Sequence, residues 1–190
     1  VEIVIDNTDP GWSNTSPSGN WTTGSVAAVP KIGINYLYYQ GVANTAESAA
    51  TRTCTWTPTI EQSGYYDVYV YYQKGTNRTS TAPYKVVYNG GQLSSVQNQY
   101  SSTANQGGWF LLGADLPFLA GTSGYVWLGN NSEDTAYVSA DAAKFIFKSA
   151  LILPPTITVQ PQSQFICVYA QATLSVTATG NPAPGYQWRL

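Results

Sequence analysis

The side chains of this chain that could do chemistry are mainly Tyr, Trp and Asp, because its 190 residues include no histidine. The missing imidazole excludes a Ser-His-Asp triad and the zinc-protease motif. Glycosidase chemistry needs a pair of carboxyl groups at a suitable separation, and no spacing of Asp or Glu marks such a pair. The residue types therefore predict a protein that is not an enzyme.

Aromatic side chains are the first candidate ligand-binding groups. Tyr69 and Tyr71 lie on the more polar face of a strongly alternating segment, whereas Trp12 and Trp21 lie in turn-rich segments. Exposed rings in these places could stack against the pyranose rings of a polysaccharide. The alternative is that most rings belong to the core or to a subunit interface, because a sandwich needs large residues on both inner faces.

Oxygen ligands suitable for calcium are concentrated near the N-terminus. Asp6 and Asp9 lie in one turn, over residues 6–11, and Asp141 at the start of a late strand could join them. The spacing is not that of an EF-hand loop, and Asp and Asn are also ordinary turn residues. A structural calcium ion at Asp6, Asp9 and Asp141 is therefore one expectation, and no other cofactor is predicted.

Asp141 has a second interpretation as half of a structural ion pair. It shares strand parity with Phe145 and Phe147, which predicts an inward-facing carboxylate. A buried charge needs a partner, and Arg78 is the candidate.

Charge is scarce in this chain, at 9% of residues with a formal net charge of -2. The eight basic residues are scattered and predict no nucleic-acid partner. No apolar run approaches the roughly 18 to 20 residues of a membrane span. Because the chain has no Met and opens directly in the strand-like VEIVID, we expect an extracellular or cell-surface protein whose N-terminal leader has been removed.

Strand periodicity runs through the first 148 residues, with short alternating segments separated by turn residues. The pattern predicts an all-β fold, an antiparallel jelly-roll-like sandwich of about eight to ten strands. The clearest predicted strands are Val1 to Ile5, Ile34 to Tyr39, Thr51 to Trp56, Gly64 to Tyr72, Tyr84 to Tyr88, Trp109 to Leu112, Tyr125 to Leu128 and Asp141 to Phe147.

A boundary follows at residues 149–155, where two consecutive prolines favour an extended linker. Residues 156–190 then predict the first strands of an immunoglobulin-like domain, Thr156 to Gln160, Gln171 to Thr179 and Tyr186 to Leu190. Trp188 is placed as the core Trp of the third strand. A complete domain of this kind needs about 100 residues, so the segment is predicted to be incomplete.

Specific motifs occur in order over the sandwich segment. They are Val4-Ile5-Asp6-Asn7 with Gly11-Trp12 and Trp21, Thr55-Trp56-Thr57-Pro58, Gly64 to Val70, Asn77-Arg78 with Ala82-Pro83-Tyr84, Gly108-Trp109 with Leu112-Gly113, and Ala140-Asp141-Ala142 with Lys144-Phe145. In these motifs, residues 1 to about 148 resemble the golvesin C-terminal-like domain, a β-sandwich module of secreted bacterial proteins that include polysaccharide-degrading enzymes.

The tail carries a second, shorter resemblance. Pro154-Pro155-Thr156-Ile157, Gln160-Pro161-Gln162-Ser163 and Tyr186-Gln187-Trp188 resemble the start of bacterial immunoglobulin-like repeats. Neither resemblance implies a catalytic residue or a settled ligand.

Two cysteines, Cys54 and Cys167, depart from what the resemblances lead us to expect. In an exported protein they are expected to oxidise, and a bond between them would tie the tail to the sandwich or to a neighbouring copy. Closing a loop of that length stabilises by roughly 4 to 5 kcal/mol in the chain-entropy model. The alternative is two unrelated buried thiols, since Cys54 shares strand parity with Trp56.

Two functional hypotheses follow. The first is a non-catalytic structural subunit whose incomplete tail engages identical subunits by strand addition, forming an open-ended surface or matrix fibre. Its basis is that a small sheet with an apolar face cannot bury that face alone. The alternative is a carbohydrate-binding accessory module of a secreted polysaccharide-active enzyme.

Overall fold

The computed structural model describes residues 1–15, 21–25, 31–103 and 106–189, with only the backbone at Thr15. The chain divides into two compact units, Val1–Ser149 and Ala150–Leu190. The strands are β1 (Glu2–Asp6), β2 (Trp12–Thr15), β3 (Thr22–Gly24), β4 (Tyr36–Gln40), β5 (Val42–Ala43), β6 (Thr53–Trp56), β7 (Gly64–Lys74), β8 (Ala82–Tyr88), β9 (Gly91–Gln97), β10 (Gln106–Phe118), β11 (Tyr125–Gly129), β12 (Asn131–Ser132), β13 (Tyr137–Ala140), β14 (Ala142–Ala150), β15 (Leu153–Val159) and β16 (Thr177–Asn181).

The first unit is a β-sandwich. A four-stranded sheet has the order β1-β14-β7-β10, and a five-stranded sheet has the order β2-β6-β11-β8-β9. A smaller sheet of β13-β4-β3 and a parallel pair, β12-β5, complete the unit, together with a 3-10 turn at Glu47–Ala49. The predicted all-β sandwich is confirmed, and each of its eight predicted strands overlaps an observed strand.

Strand β7 shows why the sandwich forms. Tyr66, Val68, Val70 and Tyr72 are at most 2% exposed and join the core, whereas the alternate tyrosines are half-buried on the outer face. The core also contains residues of the other sheet, among them Cys54, Trp56, Tyr84, Val86, Val126 and Leu128. Side-chain alternation with a period of two therefore sets one face of each sheet inward and leaves the other available for contacts.

The second unit contains one two-stranded sheet, β15-β16. Both prolines of the predicted linker, Pro154 and Pro155, lie within β15. Strand β16 is shorter than predicted and is displaced towards the C-terminus, and residues 186–189 lie outside any strand, while Leu190 lies outside the described residues. Trp188 is 57% exposed rather than buried in a core, because two strands enclose too little space for an indole.

No helix in the described ranges is both long enough and apolar enough to cross a membrane.

Candidate functional site

Three aromatic rings form a strip on the outer face of the four-stranded sheet. Trp109 of β10 lies directly opposite Tyr71 of β7, and Leu111 lies opposite Tyr69. The Tyr71 and Trp109 rings meet edge to face, with centroids 5.4 Å apart and an interplanar angle of 78°. All three rings are half-buried. We call Tyr69, Tyr71 and Trp109 the aromatic strip, and its rings present flat apolar surface beside polar edges.

A lysine from the neighbouring strand β14 lies over two of these rings. The ammonium nitrogen of Lys144 is 4.5 Å from the Trp109 centroid and 5.4 Å from the Tyr69 centroid. Glu2 lies 3.9 Å from the same nitrogen. The face therefore combines aromatic surface with a positioned hydrogen-bond donor and an acceptor, the set of groups that recognises a hydroxyl-rich ligand.

Sequence reasoning found only part of this face. It selected Tyr69 and Tyr71, which the structure brings together, but it missed Trp109 and Lys144. Trp109 alternates with the core-packed Phe110, and this parity was a usable signal. Lys144 joins the strip only because β14 lies beside β7, a long-range relationship that residue types do not reveal.

The two tryptophans predicted to bind sugar do not form an open platform. Trp21 is 4% exposed, and its indole nitrogen donates a hydrogen bond to the Thr53 carbonyl oxygen over 3.3 Å. Trp12 is partly buried against the core and lies opposite Trp56 in the β2–β6 pair. The segment around Trp12 is a strand rather than a turn, and its pairing turns the indole inward. Trp21 offers no free face for stacking, and the Trp12 indole packs against the core rather than standing on the outer face.

Four oxygen acceptors are buried at the end of the sandwich where β1 ends and β14 begins, namely Oδ1 of Asp6, Asn7, Asn35 and Asp141. The Asp6 and Asp141 carboxyl groups share a hydrogen bond, whereas the two amide oxygens have no donor among the residues described. The segments are tied together, since Asn7 Nδ2 approaches the Asn35 carbonyl oxygen at 3.5 Å. We call these four residues the oxygen set. Unpaired buried acceptors are costly, so their accumulation calls for a donor or a cation.

Asp141 is the most enclosed member of the oxygen set, at 0% exposure. Burial raises the pKa of its carboxyl to about 8, although hydrogen bonds from the Ile32 backbone nitrogen and Gln73 Nε2 lower it, and the Asp6 carboxyl raises it further. Gly33, at φ +65°, passes so close to Asp6 Oδ2 that a Cβ there would collide with it. The loop around Gly33 therefore closes over the two carboxyl groups.

The oxygen set only partly matches the predicted calcium ligands. Asp6 and Asp141 both belong to the set, but Asp9 does not. Asp9 Oδ2 accepts a hydrogen bond from the Asp6 backbone nitrogen over 2.9 Å and so stabilises the turn after β1. The described residues contain no group of three or more Asp, Glu, His or Cys side chains that could hold a metal. The remaining oxygens come from the amides of Asn7 and Asn35, ligands that calcium accepts and that a search for carboxylates overlooks.

The predicted ion pair between Arg78 and Asp141 is not formed. Gln73 Nε2 donates a hydrogen bond to Asp141 Oδ2 over 2.5 Å, and the Ile32 backbone nitrogen donates a second over 3.1 Å. The Arg78 guanidinium instead lies over two rings, 5.4 Å from the centroid of Tyr38 and 5.9 Å from that of Tyr137. Neutral donors and aromatic faces thus replace the expected charge pair.

The predicted disulfide is also absent, because both cysteines are free thiols. Cys54 is 0% exposed within the core, and burial raises the pKa of its thiol well above the usual value. Cys167 is exposed on the second unit. A sulfur enclosed on all sides by core residues offers no route to an exposed partner without opening the sandwich.

Comparison with known proteins relates the sandwich to a lyase. The xanthan lyase of Bacillus sp. (strain GL1) is 29% identical over 146 residues, which are 76% of this chain and 14% of that protein. The solved structure of Paenibacillus xanthan lyase aligns with a TM-score of 0.63 and 27% identity, over 77% of this chain and 13% of that one. The chain therefore spans about one seventh of the length of these relatives.

The chain also resembles solved carbohydrate-binding modules, and these matches cover nearly the whole of each module. The family 35 carbohydrate-binding module from Clostridium thermocellum aligns with a TM-score of 0.50 and 17% identity, covering 76% of this chain and 98% of the module. At that identity the likeness concerns the fold. The hypothesis of a fibre subunit is wrong, since the sandwich matches part of a lyase and has the fold of carbohydrate-binding modules. The sequence model of the golvesin C-terminal domain matches residues 3–147, so the chain belongs to the golvesin C-terminal domain family.

Proposed function

We propose that the sandwich is a non-catalytic carbohydrate-binding module of an extracellular polysaccharide-active enzyme, and that it binds polysaccharide on the aromatic strip. The observation that carries this proposal is the alignment of Tyr69, Tyr71 and Trp109 on one outer sheet face. Strands of a sheet lie about 4.8 Å apart, so rings on neighbouring strands present a continuous apolar surface along which a sugar chain can lie.

The polar groups beside the strip supply orientation. Lys144 can donate a hydrogen bond to ring or hydroxyl oxygens, and Glu2 can accept one from a hydroxyl. Their separation of 3.9 Å leaves the pair at the long limit of an ion pair, so each retains hydrogen-bonding capacity for a ligand. The 29% identity with a xanthan lyase makes xanthan the first polysaccharide to test.

The test is affinity electrophoresis of the 190-residue chain through gels containing xanthan or another soluble polysaccharide. Tyr71→Ala and Trp109→Ala should abolish the retardation, because each removes a ring of the strip. Tyr100→Ala is the matched control, since this tyrosine is 47% exposed and lies outside the strip. Loss of retardation in the control variant as well would point to unfolding rather than to a lost contact.

A structural calcium ion bound to the oxygen set is the second part of the proposal. The two carboxylates and two amide oxygens are ligand types that calcium uses, and backbone carbonyls or water complete such sites. Bound calcium would replace the proton that the Asp6 and Asp141 carboxyl groups share, and it would supply positive charge to the unpaired amide oxygens of Asn7 and Asn35. The ion would thereby fix the loop around Gly33 against β1 and β14.

A further inference from the structure

A separate cavity lies on the outer face of the five-stranded sheet. Its volume is about 230 Å³. The cavity is lined by Trp127, Lys85 and Ser94, which lie opposite one another on β11, β8 and β9. Its walls are completed by the segments around Glu47 and Asn131.

One buried acceptor in this wall has no donor. Asn131 is 2% exposed; its Nδ2 donates to the Thr45 carbonyl oxygen over 3.1 Å, but its Oδ1 has no partner among the described residues. Gly129 makes the arrangement possible, because a Cβ there would collide with Asn131 Oδ1 and would lie 2.5 Å from Trp127 Cη2. The amide and the indole are therefore held side by side in the wall of the cavity.

Two charged groups line the same cavity. Lys85 Nζ is 2.6 Å from Glu47 Oε1 and 5.0 Å from the centroid of Trp127. The Lys85 side chain is 14% exposed, whereas that of Glu47 is 59% exposed. The cavity thus offers an aromatic edge, a fixed ammonium donor and a carboxylate acceptor within a small space, which are groups that suit neighbouring hydroxyls on a sugar ring.

We propose that this cavity is a second saccharide site, which takes a single sugar residue such as a chain end or a side branch. Hydroxyl groups donate to Glu47 and accept from Lys85, while a C–H edge of the ring contacts Trp127. The volume is below the roughly 300 to 1,000 Å³ of drug-sized sites, which restricts the occupant to about one ring. Because this site and the aromatic strip lie on different sheets, the module would hold two saccharide segments at once.

The experiment is saturation-transfer NMR of the 190-residue chain with free glucose, galactose, mannose and glucuronic acid as probes. We expect at least one sugar to bind, with an affinity reduced about tenfold or more in Lys85→Gln and in Trp127→Ala. Tyr100→Ala should leave this binding unchanged, because this tyrosine lies outside both the cavity and the aromatic strip. Lys85→Gln is the primary variant because it changes the rim of the cavity rather than the core.

Two results would overturn the second site. They are the absence of binding by all four sugars, and binding that survives both Lys85→Gln and Trp127→Ala. If the aromatic strip does not bind polysaccharide, the retardation will instead be unchanged in Tyr71→Ala and Trp109→Ala. The two experiments therefore test the two sites separately.

Discussion

Gln73 Nε2 donates a hydrogen bond to Asp141 Oδ2 over 2.5 Å, and both side chains are buried. Gln73 follows Tyr71 by two residues on β7, so the strand that carries two rings of the aromatic strip also holds a carboxyl of the oxygen set. Ser139 Oγ donates to Gln73 Oε1 over 2.7 Å and fixes the amide orientation. Burial raises the pKa of the Tyr71 hydroxyl, and the nearby Asp141 charge raises it further. The two features are therefore physically adjacent.

Calcium should stabilise the sandwich at neutral to mildly alkaline pH. Adding calcium to protein treated with a chelator should raise the melting temperature, because binding to the folded state alone stabilises it. Asp141→Asn should remove most of the response, since it replaces one of two carboxylates with a neutral amide. Differential scanning fluorimetry measures both effects, with magnesium as the ionic control. An equal calcium response in wild type and variant would contradict a site at the oxygen set.

Without calcium, stability should fall as pH rises from about 4 to about 8. The folded state keeps the Asp141 proton up to about pH 8, whereas the unfolded chain loses it near the ordinary value of 3.8. Between these values the unfolded state binds fewer protons, so deprotonation favours unfolding by up to roughly 1.4 kcal/mol per pH unit.

Urea unfolding in chelator at about pH 5 and about pH 8 measures this dependence. Asp141→Asn cannot titrate at this position and should show a flatter profile than wild type. Parallel profiles for the two proteins would show that the Asp141 carboxyl does not hold its proton in the folded state.

The two cysteines should differ sharply in reactivity. A thiol reagent should modify one cysteine per native chain, Cys167, because Cys54 is fully enclosed and burial raises the pKa of its thiol. In denaturant, without a reductant, it should modify both. Cys167→Ser should abolish the native reaction and leave the denatured reaction of Cys54. Fewer than two reactive thiols in freshly purified, denatured protein would indicate a disulfide instead.

The sandwich was predictable from the sequence because the alternation of apolar and polar residues that marks each strand is a local pattern. In β7 the apolar and polar alternation alone gives the buried set Tyr66, Val68, Val70 and Tyr72. Strand β9 was missed, because Gly91–Gln97 is mostly polar and only its pairing with β8 makes it a strand. Local pattern therefore identifies strands that bury side chains, but not strands that mainly complete a sheet.

The candidate site was only partly predictable because it depends on register. Tyr69 and Tyr71 follow from parity, but the position of Trp109 opposite Tyr71 depends on the pairing of β10, which contains register shifts on either side of Gly113. Asn35 reaches the oxygen set through the loop that precedes β4, and Asn side chains in loops are indistinguishable from ordinary turn formers. Trp21 lies in a turn-rich segment, which predicts exposure, but its indole is buried in the core and donates to the Thr53 carbonyl oxygen of β6.

The most direct test of the central proposal is the dissociation constant for a polysaccharide, measured by affinity electrophoresis with xanthan first. We expect wild type and Tyr100→Ala to be retarded equally, and Tyr71→Ala and Trp109→Ala to bind at least about tenfold more weakly, a loss of about 1.4 kcal/mol. Circular dichroism should show the same β-sheet spectrum for all four proteins. Retardation that is unchanged in both strip variants would contradict polysaccharide binding on the aromatic strip.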